Sequence, residues 1–368
     1  GKLTIWAPTQ APTFAQMAAA AVTGVDRSAV EVHTTHLGGG FGRRGESDYV
    51  RYAALVATRT AGRPVKLTWT REEDMRHDMY RPAAVARFKA RVKPGAPPEA
   101  IVAKVAGPSI IQSIISRTLF TPPAPSPDRT TAEGIFDQPY DFPNVAVRAV
   151  HPAQSLPVGF WRSVGNSHNG FFHECFLDEC AAKAGIDPLE MRLALAANYP
   201  EAVAALRKVA EMSGWGRDPG PGRGLGLALI FSFGTHVAEV VEIAAGPDGI
   251  ALEKVWAAAE IGRALDPRIT AAQIRSGVVF GLSAAMGQKI TLEDGAVVEG
   301  NFWDYDALRM SQCPEIEVAV LETGAKMGGA GEPGTPPAAA ALGAAIFAAT
   351  GKRLRRLPFS DDVEFRPA

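Results

Sequence analysis

Residues 38–45 read Gly38-Gly39-Gly40-Phe41-Gly42-Arg43-Arg44-Gly45 and lie between a strand pattern at Val30–Thr35 and a helical pattern at 47–60. Positions 40–45 match G-x-G-x-x-G in the strand–turn–helix setting of a dinucleotide-binding fold. The physics of such a turn is direct. Glycines leave amide N–H groups open to a ligand, and a helix N-terminus stabilises negative charge. Two features count against a Rossmann turn. The acid expected about 20 residues on to bind a ribose is missing, since Val65 stands there and the nearest acids are Glu72 and Glu73. The motif also follows the second strand pattern rather than the first. Three readings stay open at this point: a dinucleotide turn, a plain glycine-rich turn, and an anion or cofactor contact of another kind.

Composition narrows the function class. The chain has 368 residues, a length for two or three domains at about 150 residues each. Hydrophobic residues make up 46% and charged residues 21%, a globular balance that excludes a disordered chain. Lys plus Arg number 38 and Asp plus Glu 39, a net charge of −1. That argues against a phosphate-neutralising nucleic-acid binder and against adhesion to a charged membrane surface. Cys175, Cys180 and Cys313 are an odd set, too few for a disulfide scaffold or a four-cysteine zinc or iron–sulfur site. No apolar run reaches about 18 residues, so no membrane-spanning helix is expected. The first residues already form a strand pattern, Leu3–Ala7, so no signal peptide is expected. Glycine (37) and proline (28) together make up about 18% of the chain, against about 12% in average usage. The glycines therefore mark the loops to follow.

Strand and helix patterns alternate outward from the glycine stretch. Pro12 opens a helix over 13–22 that stops at Gly24. Val65–Thr70 reads as a strand, and Val85–Val92 with Ile101–Ala106 as an antiparallel pair. Pro122, Pro123, Pro125 and Pro127 mark a rigid loop over 121–128. A helical zone from His168 to Met212 is broken at Gly185–Pro188 and at Asn198–Pro200. Residues 214–226 carry six glycines and two prolines and read as a linker between two regions, 1–213 and 227–368. Strands then fall near 227–233, 237–243, 251–258 and 318–322, and helices near 267–286 and 337–350. The mixture of parallel-type and hairpin-type connections predicts an α+β fold, mixed sheets with flanking helices.

Three further constellations carry chemistry. Gly328-Gly329-Ala330-Gly331-Glu332-Pro333-Gly334 precedes the Ala-rich helix. Glu332 there is either a carboxylate complementing the helix dipole or a general base held at a ligand. In Gly159-Phe160-Trp161-Arg162-Ser163-Val164-Gly165-Asn166, Arg162 either stacks on Trp161 or presents charge to a polar ligand. His168, His173, Glu174, Cys175, Asp178, Glu179 and Cys180 invite a metal reading, but Leu177 replaces the second histidine of H-E-x-x-H. Glu174 and Asp178 share a helix face, read as solvated or cap-pairing. Gly45-Glu46-Ser47-Asp48-Tyr49 lacks the closing glycine of a nucleophile elbow.

In this order the loops resemble the molybdenum-cofactor-binding large subunit of the xanthine oxidase family. The nearest branch is that of the isoquinoline 1-oxidoreductase β subunit and the membrane-bound bacterial aldehyde dehydrogenases. The resemblance spans essentially the whole chain. Ala7-Pro8-Thr9-Gln10-Ala11-Pro12 resembles the segment whose glutamine touches the molybdenum oxygen or sulfur ligands, which points to Gln10. Residues 39–44 resemble the glycine loop whose amides at the Phe-Gly step reach the apical oxygen, which points to Gly39, Gly40, Phe41, Gly42 and Arg43. Trp161-Arg162-Ser163-Val164-Gly165 resembles the arginine loop, and Gly331-Glu332-Pro333 the loop of the catalytic glutamate. The tail 348–358 is also typical of the branch. Xanthine-oxidising members carry a glutamate where Gly45 stands, one step before Glu46, and a purine-stacking phenylalanine where Val164 stands. A purine substrate is therefore not expected. Arg117 aligns with a substrate-orienting arginine.

The resemblance implies a molybdenum hydroxylase that oxidises an N-heteroaromatic compound or an aldehyde with oxygen from water. Glu332 would be the general base. Gln10 and the Phe41–Gly42 amides would orient the metal's oxygens, and Arg162 would stabilise negative charge. Trp161, Val164 and Arg117 would face the substrate. The molybdenum would be held by the pterin dithiolene and by no protein ligand, in the cytosine dinucleotide form of molybdopterin, with Arg43 and Arg44 suited to its phosphates. Electrons would leave through [2Fe–2S] clusters on a small partner subunit and on to a cytochrome c. Chains of this branch are about twice as long, so the sequence is expected to be the C-terminal part of a large subunit working beside its N-terminal half as a separate chain. The expected location is the bacterial periplasm or the periplasmic face of the inner membrane. A nicotinamide-dependent dehydrogenase built on residues 40–45 is the rival activity.

Overall fold

A computed structural model describes residues 1–60, 62–119, 127–152 and 156–367. The proline-rich stretch expected at 121–128 lies almost wholly outside them.

The chain begins β1 (Leu3–Ala7), α1 (Pro12–Thr23) and β2 (Val30–Thr34), and the two strands pair in parallel. Pro12 sits in the first turn of α1 and Gly24 caps it in a left-handed conformation. α2 (Asp48–Ala57) packs Val50 and Ala54 onto Ala15 and Ala19 of α1. It ends short of the expected Thr60 because the hydroxyls of Thr58 and Thr60 turn back onto the carbonyls of Leu55 and Ala57. The strand expected at 65–70 does not form. The segment has no ladder partner, and Thr70 instead caps α3 (Arg71–Arg76) by accepting from the Glu73 N–H.

β3 (Val85–Arg91) and β4 (Ala100–Ala106) form the expected antiparallel pair. After α4 (Ile110–Leu119), β5 (Asn144–Val150) joins β4 in parallel. The helical zone resolves into α5 (Val164–Ala184), α6 (Pro188–Leu195) and α7 (Pro200–Ser213), with breaks at Gly185 and Pro200. The 214–226 stretch passes into β6 (Arg223–Ser232), which runs antiparallel to β7 (Thr235–Gly246), itself antiparallel to β8 (Gly249–Glu260). α8 (Pro267–Met286), a short hairpin of β9 (Leu292–Glu293) and β10 (Ala296–Val297), β11 (Glu315–Leu321) and α9 (Pro336–Thr350) complete the order. β11 returns parallel to β8, giving a sheet ordered β11-β8-β7-β6.

This sheet is covered on both faces. Ile274, Val278 and Leu282 of α8 and the alanines of α9 pack with Val237, Val241 and Val255. Leu206 and Val209 of α7 pack with Leu229, Val240 and Trp256 on the other face. By length and composition α8 is apolar enough to cross a membrane, but more than half of it is buried in this core. The α9 backbone lies directly on β6. A Cβ at Gly226 would come within 2.1 Å of the Ala341 carbonyl and the Ala345 nitrogen.

One expectation is corrected here. Glu174 and Asp178 do share a face of α5, but that face is buried rather than solvated. Arg192 of α6, 0% exposed, donates to Glu174 Oε2 and to Asp178 Oδ1, each at 2.8 Å. The Tyr140 hydroxyl and the Leu229 N–H also donate to Glu174.

Candidate functional site

Two parallel strand pairs aim their C-terminal loops at one place, the usual position for ligands in such sheets. From β1 and β2 come the turn 8–11 and the glycine loop 38–45. From β8 and β11 come the segment after Glu260 and the 322–335 loop, which are stitched together by Gly324 N–H to the Gly262 carbonyl and Gly328 N–H to the Ile261 carbonyl.

The first pair of loops is locked around Gln10. Its backbone N–H donates to the Arg44 carbonyl at 2.9 Å, and its side-chain Oε1 accepts from the Gly42 N–H at 3.1 Å. Glycine is required where they meet. A Cβ at Gly40 would fall 2.2 Å from the Gln10 amide, and one at Gly42, where φ is 92°, 2.3 Å from the Phe160 carbonyl. Gly39 is equally crowded by the Phe41 ring. Phe41 itself has positive φ, 52°, and stacks on Phe280 of α8 at 4.9 Å. Arg43 sits differently from a phosphate ligand. Its guanidinium is committed to both oxygens of Asp48, at 3.0 and 2.9 Å, and to Asp78, so it braces the loop from behind. Arg44 lies over the Tyr49 ring.

The arginine loop and the glutamate loop are joined to each other. Arg162, 4% exposed, donates through Nε to the Gly331 carbonyl at 2.8 Å and through Nη1 to Ser276 Oγ at 2.9 Å. Of the two readings left open for Arg162, stacking on Trp161 is not the one seen: Arg81 lies over the Trp161 ring, at 4.0 Å. Ser163 binds Glu332 twice, its N–H donating to Oε1 at 3.2 Å and its hydroxyl to the Glu332 carbonyl at 2.7 Å. Burial pushes the Glu332 carboxyl up, with the Ser163 N–H and Arg162 partly offsetting it. Burial pulls the Arg162 guanidinium down, with Glu332 opposing.

Gln10, Gly42, Trp161, Val164 and Glu332 line one cavity of about 590 Å³ with Arg117 and Glu46. Much of its wall is apolar: Phe14, Met17, Ile114, Ile115, Phe160 and Phe233. The Arg117 guanidinium donates to Glu46 Oε1 at 2.6 Å and to the Val158 carbonyl at 2.9 Å. Burial raises the Glu46 carboxyl, against the pull of Arg117. Of the residues singled out in the sequence, Gln10, Gly42, Arg117, Trp161, Val164 and Glu332 line this space, while Arg162 and Gly331 are bonded to each other beside Glu332. Phe280 and Ser276 of α8 were missed, because a helix interior carries no motif that announces which loop it will meet. Glu46 was visible only as a displaced acid.

The dinucleotide alternative fails on the fold. The 40–45 loop follows a two-stranded sheet, residues 43–45 form a short 3₁₀ turn, and α2 begins only at Asp48, whose carboxylate is spent on Arg43. A pterin cofactor bearing a metal fits better. The Gly40 and Gly42 contacts leave backbone and a glutamine amide, rather than side-chain bulk, facing the cavity. The half-buried Glu332 lines the same cavity, and the buried Arg162 binds the carbonyl of the neighbouring Gly331.

Models of the molybdopterin cofactor-binding domain match residues 1–195 and 192–314. Over 97% of its length the chain is 33% identical to the isoquinoline 1-oxidoreductase subunit β of Brevundimonas diminuta, covering 46% of that protein. It is 29% identical to the membrane-bound aldehyde dehydrogenase [pyrroloquinoline-quinone] of Gluconacetobacter polyoxogenes, covering 91% of this chain and 46% of that one. It thus spans about half the length of these curated relatives. The crystal structure of quinoline 2-oxidoreductase from Pseudomonas putida 86 superposes with a TM-score of 0.78 at 14% identity, over 96% of this chain and 71% of that one, which supports the fold. The chain belongs to the molybdopterin cofactor-binding family of xanthine oxidase-type large subunits, in the branch of isoquinoline 1-oxidoreductase β subunits and membrane-bound aldehyde dehydrogenases.

Proposed function

We propose that this chain forms the catalytic part of a molybdenum hydroxylase that oxidises an aldehyde or an N-heteroaromatic carbon with oxygen drawn from water. The observation that carries this is the Glu332 carboxylate, held by the Ser163 N–H on the wall of a cavity it shares with Gln10 and Gly42. The molybdenum cofactor, when bound, supplies the two-electron redox chemistry.

Each residue has a physical task. Glu332 removes the proton from attacking water at a carboxylate oxygen. Its raised proton affinity suits a base working near neutral pH. The Gly42 N–H is taken by Gln10 Oε1 rather than left for the cofactor as the resemblance implied. The Gln10 side-chain amide, fixed by that bond, is therefore the dipole presented, and it costs no reorganisation when charge develops. Arg162 keeps its charge in place through neutral acceptors, free to stabilise negative charge at the cofactor. The apolar wall strips water from a flat substrate, and Trp161, Val164 and the Arg117–Glu46 pair set its orientation.

The finer assignments extend this reading. The cofactor is the cytosine dinucleotide form. The remaining half of the large subunit is a separate chain, and a small [2Fe–2S] subunit passes electrons to a cytochrome c. The three thiols here, each a free cysteine, are too few to hold such clusters. Residues 1–213 and 227–368 are the two cofactor-binding regions, joined through 214–226. The enzyme works in the periplasm or on the periplasmic face of the inner membrane, in keeping with the relative described as membrane-bound.

The test is Glu332→Gln in the assembled enzyme, with metal analysis and a screen of aldehydes and N-heteroarenes. Molybdenum content should match wild type while turnover falls by about 10³-fold. A variant working at the wild-type rate overturns the assignment of the base.

A further inference from the structure

A second carboxylate grips the loop that holds Glu332. Ser163 and Val164 both have left-handed backbone, with φ of 71° and 48°, a strained state for a β-branched residue. The N–H groups on either side of that strain are taken by two acids. Ser163 N–H donates to Glu332 Oε1 at 3.2 Å, and Gly165 N–H donates to Glu133 Oε1 at 2.9 Å. Glu133 reaches the loop from the turn after Arg129–Thr131. That turn is tied to α5 by Asn169, whose Nδ2 donates to the carbonyls of Thr131 and Glu133.

Capping of α5 alone would account for the Gly165 contact. The surroundings of Glu133 go further. Three acids push it up: Asp137 and Asp128 on its own turn, and Glu332 across the loop. The Arg162 guanidinium faces Gly331 and Ser276 instead, and His151, after β5, faces Asp128 and Thr131. Burial pushes the Glu133 carboxyl up to about 7. The Gly165 N–H partly offsets it, and the three acids add to it.

We propose that Glu133 is a positioning residue of the site. Its un-ionised carboxyl holds the 163–165 loop, and through it the Glu332 carboxylate, in working geometry, and its ionisation puts a second negative charge on that loop and slows turnover. This rests on the reading of Glu332 as the base. Glu332 is one of the acids that push the Glu133 carboxyl up, so a second charge on this loop is disfavoured. A protonated Glu133 still accepts from Gly165 through Oε1, and a glutamine amide reproduces that form at every pH.

The experiment compares wild type, Glu133→Gln and Glu133→Ala in the assembled molybdenum enzyme, following kcat and melting temperature from about pH 5 to about pH 9. Wild-type kcat should decline on the alkaline side of about pH 7. Glu133→Gln should stay within about twofold of wild type in acid and lack the decline, while Glu133→Ala should lose about tenfold at every pH. Stability gives a readout independent of turnover. An acid whose folded pKa is raised holds its proton more tightly when folded, so it favours the fold at low pH and loses that advantage between the ordinary carboxylate range and about pH 7. The wild-type melting temperature should fall across that window more steeply than that of Glu133→Gln. An alkaline limb shared by wild type and Glu133→Gln, no such limb in wild type, or wild-type kcat in Glu133→Ala would each overturn the proposal. Full turnover in Glu332→Gln would instead defeat the underlying reading of the base.

Discussion

Arg192 and Arg162 are buried almost equally, 0% and 4% exposed, yet their guanidinium groups meet different company. Arg192 binds two carboxylates, and Glu174 is further satisfied by Tyr140 and by the Leu229 backbone. Arg162 binds a carbonyl, a hydroxyl and a second carbonyl, and feels a carboxylate only at a distance, through Glu332. A buried charge with paired counter-charges is finished as a structure. A buried charge with dipoles alone is poised for a negative partner that comes and goes. The difference separates a cation that holds helices together from one that, on the proposed function, serves chemistry.

The sharpest way to break the comparison is Arg192→Met. It strands Glu174 and Asp178 and should destabilise the fold by about 3–5 kcal/mol, read as a lowered denaturation midpoint. The deficit should shrink as pH falls, because Asp178, which burial already pushes up, then binds a proton in the folded state. Enzyme that survives should turn over normally. Arg162→Met is the mirror image. It leaves dipoles rather than charges unpartnered, so stability should drop by no more than about 2 kcal/mol, while kcat falls by about 10²-fold. Equal losses of stability in the two variants would erase the distinction. The smallest effect on turnover per molybdenum bound is expected at Gly42→Ala. The strained backbone and the clash with the Phe160 carbonyl should cost about 1–3 kcal/mol and lower molybdenum content. A variant with normal metal loading would show that the loop need not approach the cofactor closely.

Much of this was legible in the sequence where short-range rules apply. Pro12 and Gly24 bound α1, Gly185 and Pro200 break the helical zone, and alternation reveals β3 and β4. Gln10, Gly42 and Glu332, singled out through a resemblance in loop order, line one cavity. What failed depends on partners distant in sequence. Periodicity put Glu174 and Asp178 on one face without saying that Arg192 would meet it. Residues 65–70 have strand-like side chains but no strand to pair with. The sequence leaves stacking on Trp161 open for Arg162, and Arg81, far earlier in the chain, takes that ring. Arg43 suited phosphate by type, but Asp78, 35 residues on, claims its guanidinium.

The contact of α9 with β6 bears on how such an enzyme changes its diet. Glu332 leads directly into α9, whose backbone touches Gly226 with no side chain between them. A helix seated that way has no cushion to absorb a shift, so substitutions along it are transmitted to Glu332, the base of the proposed function. The opposite wall of the cavity, with Phe14 and Met17 on α1 and Ile114 and Ile115 on α4, hangs on separate elements. Libraries confined to those four side chains can recut the space for bulkier or smaller substrates while the machinery on α9 stays still.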